Sequence, residues 1–238
     1  MENSTASQIP FVPETRFGFW FLGTETWVQY VLTVALNDLE RLIPDRQVTY
    51  PTIVDVGCGQ GNSFRLLRDK FSPQRLIGVD IDEKSLRQAR AQVALDNLQV
   101  ELLQNDGAAL EFPDGSVSLL FCHQTFHHLV RQEEALCEFY RVLQPGGLLL
   151  FAESTRAYIC SWIIRLLFRH PMDVQRSAEE YLAMLRKQGF EFGSENVSFP
   201  YLWWSRSDFG MAEWLGFPVP QEREETLVNV VARKPLSV

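Results

Sequence analysis

The chain lacks several features that would each indicate a particular class of protein. No run of Lys or Arg occurs in its 238 residues, and the formal net charge is −8. Binding to nucleic acid needs clustered cations, so we expect no nucleic-acid partner. The four cysteines are far apart and form no Cys-x-x-Cys pair, so they indicate neither a disulfide framework nor a zinc site. This cysteine usage predicts a reducing, cytoplasmic location.

The N-terminal part lacks the basic start and the small-residue cleavage site of a signal peptide. Residues 17–36 are apolar, but Glu25 and Gln29 interrupt them, which favours an amphipathic helix over a membrane span. The apolar spacing predicts a helix from Thr24 to Leu42. Residues 1–16 are polar and contain proline, and we interpret them as a flexible tail before a single domain at 17–238.

What the chain does have is a glycine-rich stretch at residues 53–62, which reads IVDVGCGQGN. The β-branched residues before Gly57 predict a buried strand, and Asn62 and Ser63 could cap a helix that runs to Phe71. Such a turn lets bare backbone approach a ligand. The glycine spacing differs from the dinucleotide fingerprint, because Asn62 stands where that fingerprint has its third glycine. The alternative is a turn that binds nothing.

After this stretch, predicted strands alternate with predicted helices. This order predicts an α/β fold with a doubly wound, mostly parallel sheet and helices on both faces. Ligands of such sheets bind outside the carboxyl ends of the strands. Gly57, Asp80, Asp106 and His123 each follow or end a predicted strand, so we expect them on one rim.

Two aspartates on that rim are candidate ligand contacts. Asp80 lies about 20 residues after the glycine turn, where a carboxylate can accept hydrogen bonds from two ribose hydroxyls. The alternative is a surface Asp before a helix. Asp106 could accept from an amino group of a bound base, but Asp106-Gly107 is also a common turn dipeptide.

Asp55 followed by Gly57, Gly59 and Gly61 resembles the first motif of class I S-adenosylmethionine-dependent methyltransferases. The resemblance covers about residues 53–153 and includes the segments FPDGS at 112–116, HHL at 127–129 and RVLQPGG at 141–147. These later segments are similar to the motifs of the broad small-molecule group that contains quinone-type methyltransferases. The resemblance implies a Rossmann-like, seven-stranded sheet, S-adenosylmethionine as the cofactor and a small-molecule methyl acceptor.

The resemblance also implies roles for individual residues. Ile81 would pack on the adenine face, Asp106 would accept from the adenine amino group, and residues 17–45 would form an N-terminal lid helix. The cofactor contacts that it implies are Asp55, Gly57, Cys58, Gly59, Gly61, Asp80, Ile81, Asp106, Gly107 and His123.

His123 follows the fourth strand, at the place where the family has residues beside the reactive methyl group. Methyl transfer needs alignment and exclusion of water, and a histidine of ordinary pKa could take a proton from a hydroxyl acceptor. His123 is therefore the first candidate base and His127 the second, with a plain cofactor contact as the alternative for His123 and a structural role for His127 and His128. A carboxylate is absent there, so we expect no catechol-type magnesium site and no bound metal.

Two aromatic-rich insertions, at residues 154–176 and 200–225, follow the cofactor-binding core. They predict an apolar or aromatic acceptor, because they lie beyond the binding rim of the sheet. Residues 159–168 could instead lie on a membrane surface, where the enzyme would methylate a lipid or a quinone. Two further alternatives are a cofactor-binding protein that has lost transfer and a non-methyl reaction such as a cyclisation. The sequence does not specify the acceptor, the methylated atom or the oligomeric state.

Overall fold

The computed structural model describes residues 12–206, 208–219 and 223–236. These residues form seven strands, which are β1 (Thr52–Val56), β2 (Arg75–Asp80), β3 (Glu101–Gln104), β4 (Val117–His123), β5 (Leu143–Ser154), β6 (Val197–Ser198) and β7 (Leu227–Arg233). The helices around them are α1 (Arg16–Leu22), α2 (Glu25–Trp27), α3 (Thr33–Arg41), α4 (Phe64–Phe71), α5 (Glu83–Leu95), α6 (Gln132–Val142), α7 (Arg156–Ile159), α8 (Trp162–Leu167), α9 (Ala178–Gln188) and α10 (Met211–Trp214).

The seven strands form one sheet in the order β3-β2-β1-β4-β5-β7-β6. The strands from β3 to β5 pair in parallel, and β7 pairs antiparallel with both β5 and β6. The strand order reverses between β1 and β4, and an open parallel sheet binds its ligands beside such a switch point. The predicted Rossmann-like α/β fold is therefore confirmed.

Both faces of the sheet are covered by helices and bury apolar side chains. One core packs α6 and α9 against the sheet, with Phe139 and Tyr181 fully buried. The other packs α3, α4 and α5, with Leu36 and Phe71 fully buried. The central strand β4 is buried along its whole length, as expected for a strand covered on both sides. This packing holds the carboxyl ends of β1, β2 and β4 in fixed positions.

The glycine turn joins β1 to α4 as predicted, but the predicted helix capping is wrong. Ser63 precedes α4 without a capping hydrogen bond, and its hydroxyl donates to Asp55 instead. The Asn62 amide donates to the carbonyl of Leu22, at a distance of 2.8 Å. Both side chains thus serve long-range contacts, one to β1 and one to the N-terminal helices.

The N-terminal region is helical from an earlier residue than the pattern predicted. Helix α1 begins at Arg16, and the Thr15 hydroxyl caps it by accepting from Gly18. A π-helical turn at Val28–Leu32 joins α2 to α3. Residues 1–11 of the predicted tail at 1–16 lie outside the described residues. Thr15, near the end of that tail, also donates to the carbonyl of Leu167. No helix within the described ranges is both long and apolar enough to cross a lipid bilayer.

The C-terminal half contains the two predicted insertions. Helices α7 and α8 occupy the first, and a 3-10 turn at Trp203–Ser205 and α10 occupy the second. At the sheet edge, β6 has only two residues, Val197 and Ser198, which pair with β7, while Glu191 forms an isolated antiparallel bridge to Arg233. Residues 207 and 220–222 of the second insertion lie outside the described residues.

Candidate functional site

A cavity of about 270 Å³ opens at the carboxyl ends of β1, β2 and β4. The four residues expected on one rim, Gly57, Asp80, Asp106 and His123, all line it. Of the ten predicted cofactor contacts, only Gly61 does not line the cavity. A Cβ atom at Gly61 would lie 2.6 Å from the ring of Phe64, so this glycine allows close packing between the turn and α4.

The turn itself presents backbone to the cavity. Gly57 and Gly59 have positive φ angles of 74° and 53°. A Cβ atom at Gly57 would lie 2.1 Å from the Thr125 side chain, so only glycine fits there. A Cβ atom at Gly59 would meet open space, which means that the Gly59 backbone is accessible to a ligand.

The Asp80 carboxylate is oriented by two backbone donors. Its Oδ2 accepts from the amide of Gly59 at 2.8 Å, and its Oδ1 accepts from the amide of Asp82 at 2.8 Å. Burial raises the pKa of Asp80, and the charge of Asp82 adds to the effect. No described residue forms a salt bridge with Asp80, so its remaining lone pairs can accept hydrogen bonds from a ligand in the cavity.

Asp55 is almost fully buried in β1 and lies behind the glycine turn. It accepts a hydrogen bond from the Ser63 hydroxyl. Burial, with a smaller contribution from the charge of Asp80, raises the pKa of Asp55 to about 7, although the hydrogen bond from Ser63 acts to lower it. Near neutral pH this carboxyl is therefore poised between its protonated and ionised forms.

Asp106 also lines the cavity and has two partners within the chain. Its Oδ1 accepts from the amide of Ala108 at 2.9 Å, and its Oδ2 pairs with the guanidinium of Arg131. Arg131 also lines the cavity, and its side chain is 42% exposed. The ion pair was not predicted, and it holds the carboxylate at the cavity rim beside Gly107.

His123 ends β4 with its imidazole buried among aromatic rings. The ring stacks on Phe121 at 5.8 Å between centroids and lies 5.5 Å from the Trp27 ring. Its Nε2 is buried and has no hydrogen-bond partner among the described residues. Burial lowers the pKa of His123 to about 3, with a smaller contribution from His127. The imidazole is therefore neutral at pH 7 and is a weaker base than an ordinary histidine.

His127 does not line the cavity, although it was the second candidate base. It is buried, and its Nδ1 lies 2.6 Å from Oε2 of Glu153, which is fully buried at the end of β5. The other Glu153 oxygen accepts from the amides of Thr125 and Phe126 at 2.9 and 2.7 Å. The carboxylate thus fixes both His127 and the turn after β4.

Sequence reasoning missed Glu153, whereas it assigned residues 17–45 to an N-terminal lid. Phe19, Leu22 and Trp27, which belong to that range, line the cavity. The Gln60 amide donates to the carbonyl of Phe19 at 2.6 Å, which joins the turn to α1. No local pattern marks such contacts, although a Glu that ends a buried apolar strand is an unusual residue that could have drawn attention to position 153.

The cavity lining offers the contacts that the cofactor implied by the resemblance requires. A nucleoside with a vicinal diol needs a carboxylate acceptor beside accessible backbone, and Asp80 and Gly59 provide both. The buried, unpartnered Nε2 of His123 is a polar atom that a ligand could satisfy. The residues present therefore fit S-adenosylmethionine.

Residues 54–151 match the family model of a methyltransferase domain. Over 101 residues the chain is 34% identical to a demethylmenaquinone methyltransferase of Thermus thermophilus, covering 42% of this chain and 46% of that protein. Over 117 residues it is 39% identical to a trans-aconitate 2-methyltransferase of Azoarcus sp., covering 49% and 44%. The chain thus matches less than half the length of each of these curated relatives.

The fold is similar to that of a solved methyltransferase from Aquifex aeolicus, described as SAM dependent, with a TM-score of 0.64. That comparison covers 91% of this chain and 97% of the other at 18% identity, so it concerns the fold alone. The matched residues 54–151 contain the glycine turn, Asp80, Asp106 and His123. Residues 54–151 therefore carry a methyltransferase domain similar to those of the class I S-adenosylmethionine-dependent superfamily, which implies S-adenosylmethionine as the cofactor.

Proposed function

We propose that the protein transfers a methyl group from S-adenosylmethionine to a small, apolar or aromatic molecule in the cytoplasm. The observation that carries the proposal is that the cavity lining contains two unlike groups of residues. The polar group consists of the glycine turn, Asp80 and Asp106, and the amide of Gly59 donates to Asp80. In the apolar group, the rings of Trp27 and Phe121 pack against that of His123. The polar side of the lining suits a nucleoside, whereas the apolar side suits a flat apolar acceptor.

On the polar side, Asp80 would accept from the ribose hydroxyls, while Gly59 allows the ligand to approach the backbone. Ile81 and Gly107 line the cavity where the adenine ring would pack, and Asp106 would accept from its amino group. When bound, S-adenosylmethionine supplies a methyl group on a sulfonium, which needs no further activation.

On the apolar side, His123 would contact the acceptor. Its neutral imidazole has a free Nε2, which can accept a hydrogen bond from an acceptor hydroxyl and orient its oxygen. Burial lowers the pKa of His123 to about 3, so the imidazole is a weak base. We therefore assign His123 the role of orienting the acceptor rather than that of fully abstracting its proton. Phe121 and Trp27 hold the ring in place and help to exclude water.

The charges around the cavity favour a neutral acceptor. The cations among its lining residues are Lys84 and Arg131. Lys84 lies just after Asp82 with its Nζ over the Phe19 ring, and Arg131 pairs with Asp106. Both cationic side chains are thus engaged by other groups, so a multiply charged acid would find no free Lys or Arg side chain among them. An aromatic or quinone-like acceptor fits this wall better than the substrate named for the trans-aconitate relative.

The cytoplasmic location is supported by the state of the cysteines. Within the described residues all four are free thiols, and Cys58 and Cys122 are buried. Structural disulfides are typical of oxidising compartments, so free cysteines suit a reducing one.

A two-step experiment tests the function. Calorimetry should detect binding of S-adenosylmethionine but not of a nicotinamide dinucleotide. Tritium from labelled S-adenosylmethionine should then appear in a product when the protein is mixed with a metabolite extract, and mass spectrometry identifies that product. Binding without labelled product would instead support a binding protein or a non-methyl reaction, and binding of the nicotinamide dinucleotide alone would reject the proposal.

The His123→Ala variant tests the acceptor side separately. We expect turnover to fall by roughly 10²-fold, within the range for an orienting or proton-transfer group, while affinity for S-adenosylmethionine changes little. Equal losses of turnover and cofactor affinity would make His123 a cofactor contact.

A second candidate is a methyltransferase that acts at a membrane surface. Helix α8 favours it, because Trp162 and Leu166 are each 72% exposed and flank Arg165. Exposed aromatic and aliphatic side chains next to cations are typical of segments that lie in the bilayer interface. The acceptor would then be a lipid or a quinone, which is consistent with the apolar cavity wall.

A further inference from the structure

Three of the four histidines in the chain meet at one place outside the predicted cofactor contacts. The ring centroids of His127 and His128 are 4.3 Å apart, and His170 lies 5.1 and 4.7 Å from them. One ring nitrogen from each lies within 4.8 Å of the other two. Three imidazoles that share a tetrahedral ion have nitrogens about 3.3 Å apart, since each Zn–N bond is about 2.0–2.1 Å. Small ring rotations would bring these nitrogens to that spacing.

The chain segments that carry these histidines are tied together by buried amides. His170 lies in the first insertion, 42 positions after His128. The side-chain amide of Gln175 donates to the carbonyls of His127 and Pro171, at 2.9 and 2.8 Å. The amide of Gln132 donates to the carbonyl of Val174 at 3.0 Å. These bonds hold the loop of His170 against the turn of His127. The three histidines are therefore brought together by buried hydrogen bonds and not by a chance contact of surface side chains.

The hydrogen bonds of the cluster suit ligation. The Nδ1 of His127 pairs with the buried carboxylate of Glu153, which leaves Nε2 for a ligand. Metal-bound histidines commonly have such a carboxylate partner, which fixes the tautomer and the ring orientation. In the described part of the chain, no residue hydrogen-bonds the imidazole of His128 or His170.

We propose that His127, His128 and His170 bind one transition-metal ion, with Zn²⁺ as the best match. Three neutral imidazoles with an open fourth position form a ligand set that zinc takes in catalytic sites, and imidazole also suits iron, copper and nickel. The sequence predicted no metal, because the four cysteines are far apart and no carboxylate follows the fourth strand.

The open position would face the acceptor side of the cavity. His128 lines the cavity together with His123, so an ion on His128 lies next to the space proposed for the acceptor. This part rests on the proposed function. A hydroxyl that binds the ion would have its pKa lowered and would release its proton to solvent. The ion would thereby supply the deprotonation that His123, with its pKa of about 3, performs poorly.

The test measures metal binding alone, on tag-free, metal-stripped protein without S-adenosylmethionine or acceptor. Zn²⁺ is titrated in competition with a chromophoric chelator, and Co²⁺ is added separately to record its visible d–d spectrum. We expect one ion per chain with micromolar or tighter Kd, and a Co²⁺ spectrum typical of a four-coordinate site. The His170→Ala variant should weaken Zn²⁺ binding at least tenfold, because it removes a direct ligand, and outer partners alone contribute 10–100-fold.

Two controls separate the cluster from other metal-binding groups. His123→Gln removes the remaining histidine and should keep the stoichiometry and Kd of Zn²⁺ binding. Cys137→Ser with Cys160→Ser removes the two exposed thiols and should also keep them. Circular dichroism checks that His170→Ala is folded, and His128→Asn replaces it if it is not. The proposal is overturned if wild-type protein binds less than one ion, or if loss of His170 or His128 leaves the Kd unchanged. Failure of methyl transfer has no effect on this readout, so the two proposals are tested independently.

Discussion

Two carboxyl groups that line the cavity, those of Asp55 and Asp80, lie close enough for the charge of one to raise the pKa of the other. Neither forms a salt bridge with a described residue, and burial raises the pKa of both. A buried carboxylate without a cation destabilises the folded chain when it ionises. Such groups are common at ligand sites, where a bound positive or hydrogen-bond-donating ligand offsets the cost.

The first prediction concerns Asp55→Asn and the pH dependence of stability. In the folded state the pKa of Asp55 is about 7, against 3.8 as the ordinary value. Below pH 4 the side chain is protonated in both states. Between about pH 4 and 7 only the unfolded chain loses the proton, so the wild type loses stability as pH rises. Three pKa units correspond to about 4 kcal/mol, which is an upper limit.

Urea unfolding between pH 4.5 and 8 measures this difference. Asp55→Asn should be more stable than the wild type at pH 8, and the difference should shrink towards pH 4.5. Asp69→Asn is the matched control, because Asp69 is exposed and paired with Arg68 on the surface, and its substitution should leave the slope unchanged. Equal pH slopes for wild type and Asp55→Asn would mean that Asp55 is ionised throughout.

The second prediction concerns Asp80→Asn and cofactor affinity. The amide oxygen can still accept from one backbone donor, but the NH₂ group replaces an acceptor that the ribose hydroxyls need. Hydrogen bonds to a charged partner contribute about 1.5–3 kcal/mol, so affinity for S-adenosylmethionine should fall roughly 10–100-fold. Calorimetry measures it, with Asp69→Asn again as the control. Wild-type affinity in Asp80→Asn would remove the assigned ribose contact.

At the scale of elements, the sequence predicted those that depend on local pattern. Helix α5 begins after Asp82, a typical N-cap residue, and α9 lies between Ser177 at its N-cap and Gly189 at its C-cap. The patterns of β1 and β4 were equally clear because apolar residues predominate in both strands. The short β6 was not, since strand pairing at a sheet edge depends on the partner β7 as much as on the segment itself.

The candidate site likewise contains residues that the local sequence pattern predicted and residues that it did not. The glycine turn, Asp80 and Asp106 were found because each follows a strand, and parallel strands end at one rim. The histidine cluster was not found, since His170 reaches His128 only through the fold of the first insertion and the amides of Gln175 and Gln132. Long-range side-chain clamps of this kind leave no periodic signal.

The third prediction concerns the contact between α1 and the glycine turn. Gln60 and Asn62 donate to the last carbonyls of α1, at Phe19 and Leu22. Each hydrogen bond contributes about 0.5–1.5 kcal/mol, so Gln60→Ala with Asn62→Ala should raise the population in which α1 opens by roughly tenfold. Faster amide exchange in residues 16–22, with little change in the sheet, is the expected result by mass spectrometry.

Gln92→Ala provides the control, because the Gln92 amide donates to Asp96 at the end of α5, away from α1. Its exchange in residues 16–22 should match that of the wild type. If the double variant also matched the wild type there, α1 would be held by its aromatic contacts alone, such as that of Phe17 with Phe168 at 5.9 Å.

At the scale of the whole molecule, exposed aromatic residues are concentrated in the N-terminal helices and the two insertions. These three segments contact each other. The Trp204 indole donates to the carbonyl of Tyr30, and the rings of Tyr158 and Trp204 are 5.5 Å apart. The large exposed apolar side chains of the segments are Phe17, Trp20, Tyr30, Trp162, Leu166, Met172, Trp203, Phe209, Met211, Trp214, Leu215 and Phe217. Exposed apolar surface of this extent marks a contact surface for a membrane or another molecule.

The fourth prediction tests this surface with sedimentation of anionic phospholipid vesicles. The net charge of −8 opposes binding, so any attraction must come from the apolar side chains and from local cations such as Arg165 and Arg169. If the membrane-surface candidate holds, the wild type sediments with the vesicles. Trp162→Ser with Leu166→Ser should then weaken binding at least tenfold, because each buried side chain contributes about 1.5–3 kcal/mol. Leu95→Ser is the matched control, since Leu95 is 80% exposed on α5 and lies outside the three segments. Wild-type protein that stays in the supernatant would reject the membrane-surface candidate and leave the cavity to an acceptor that arrives from solution.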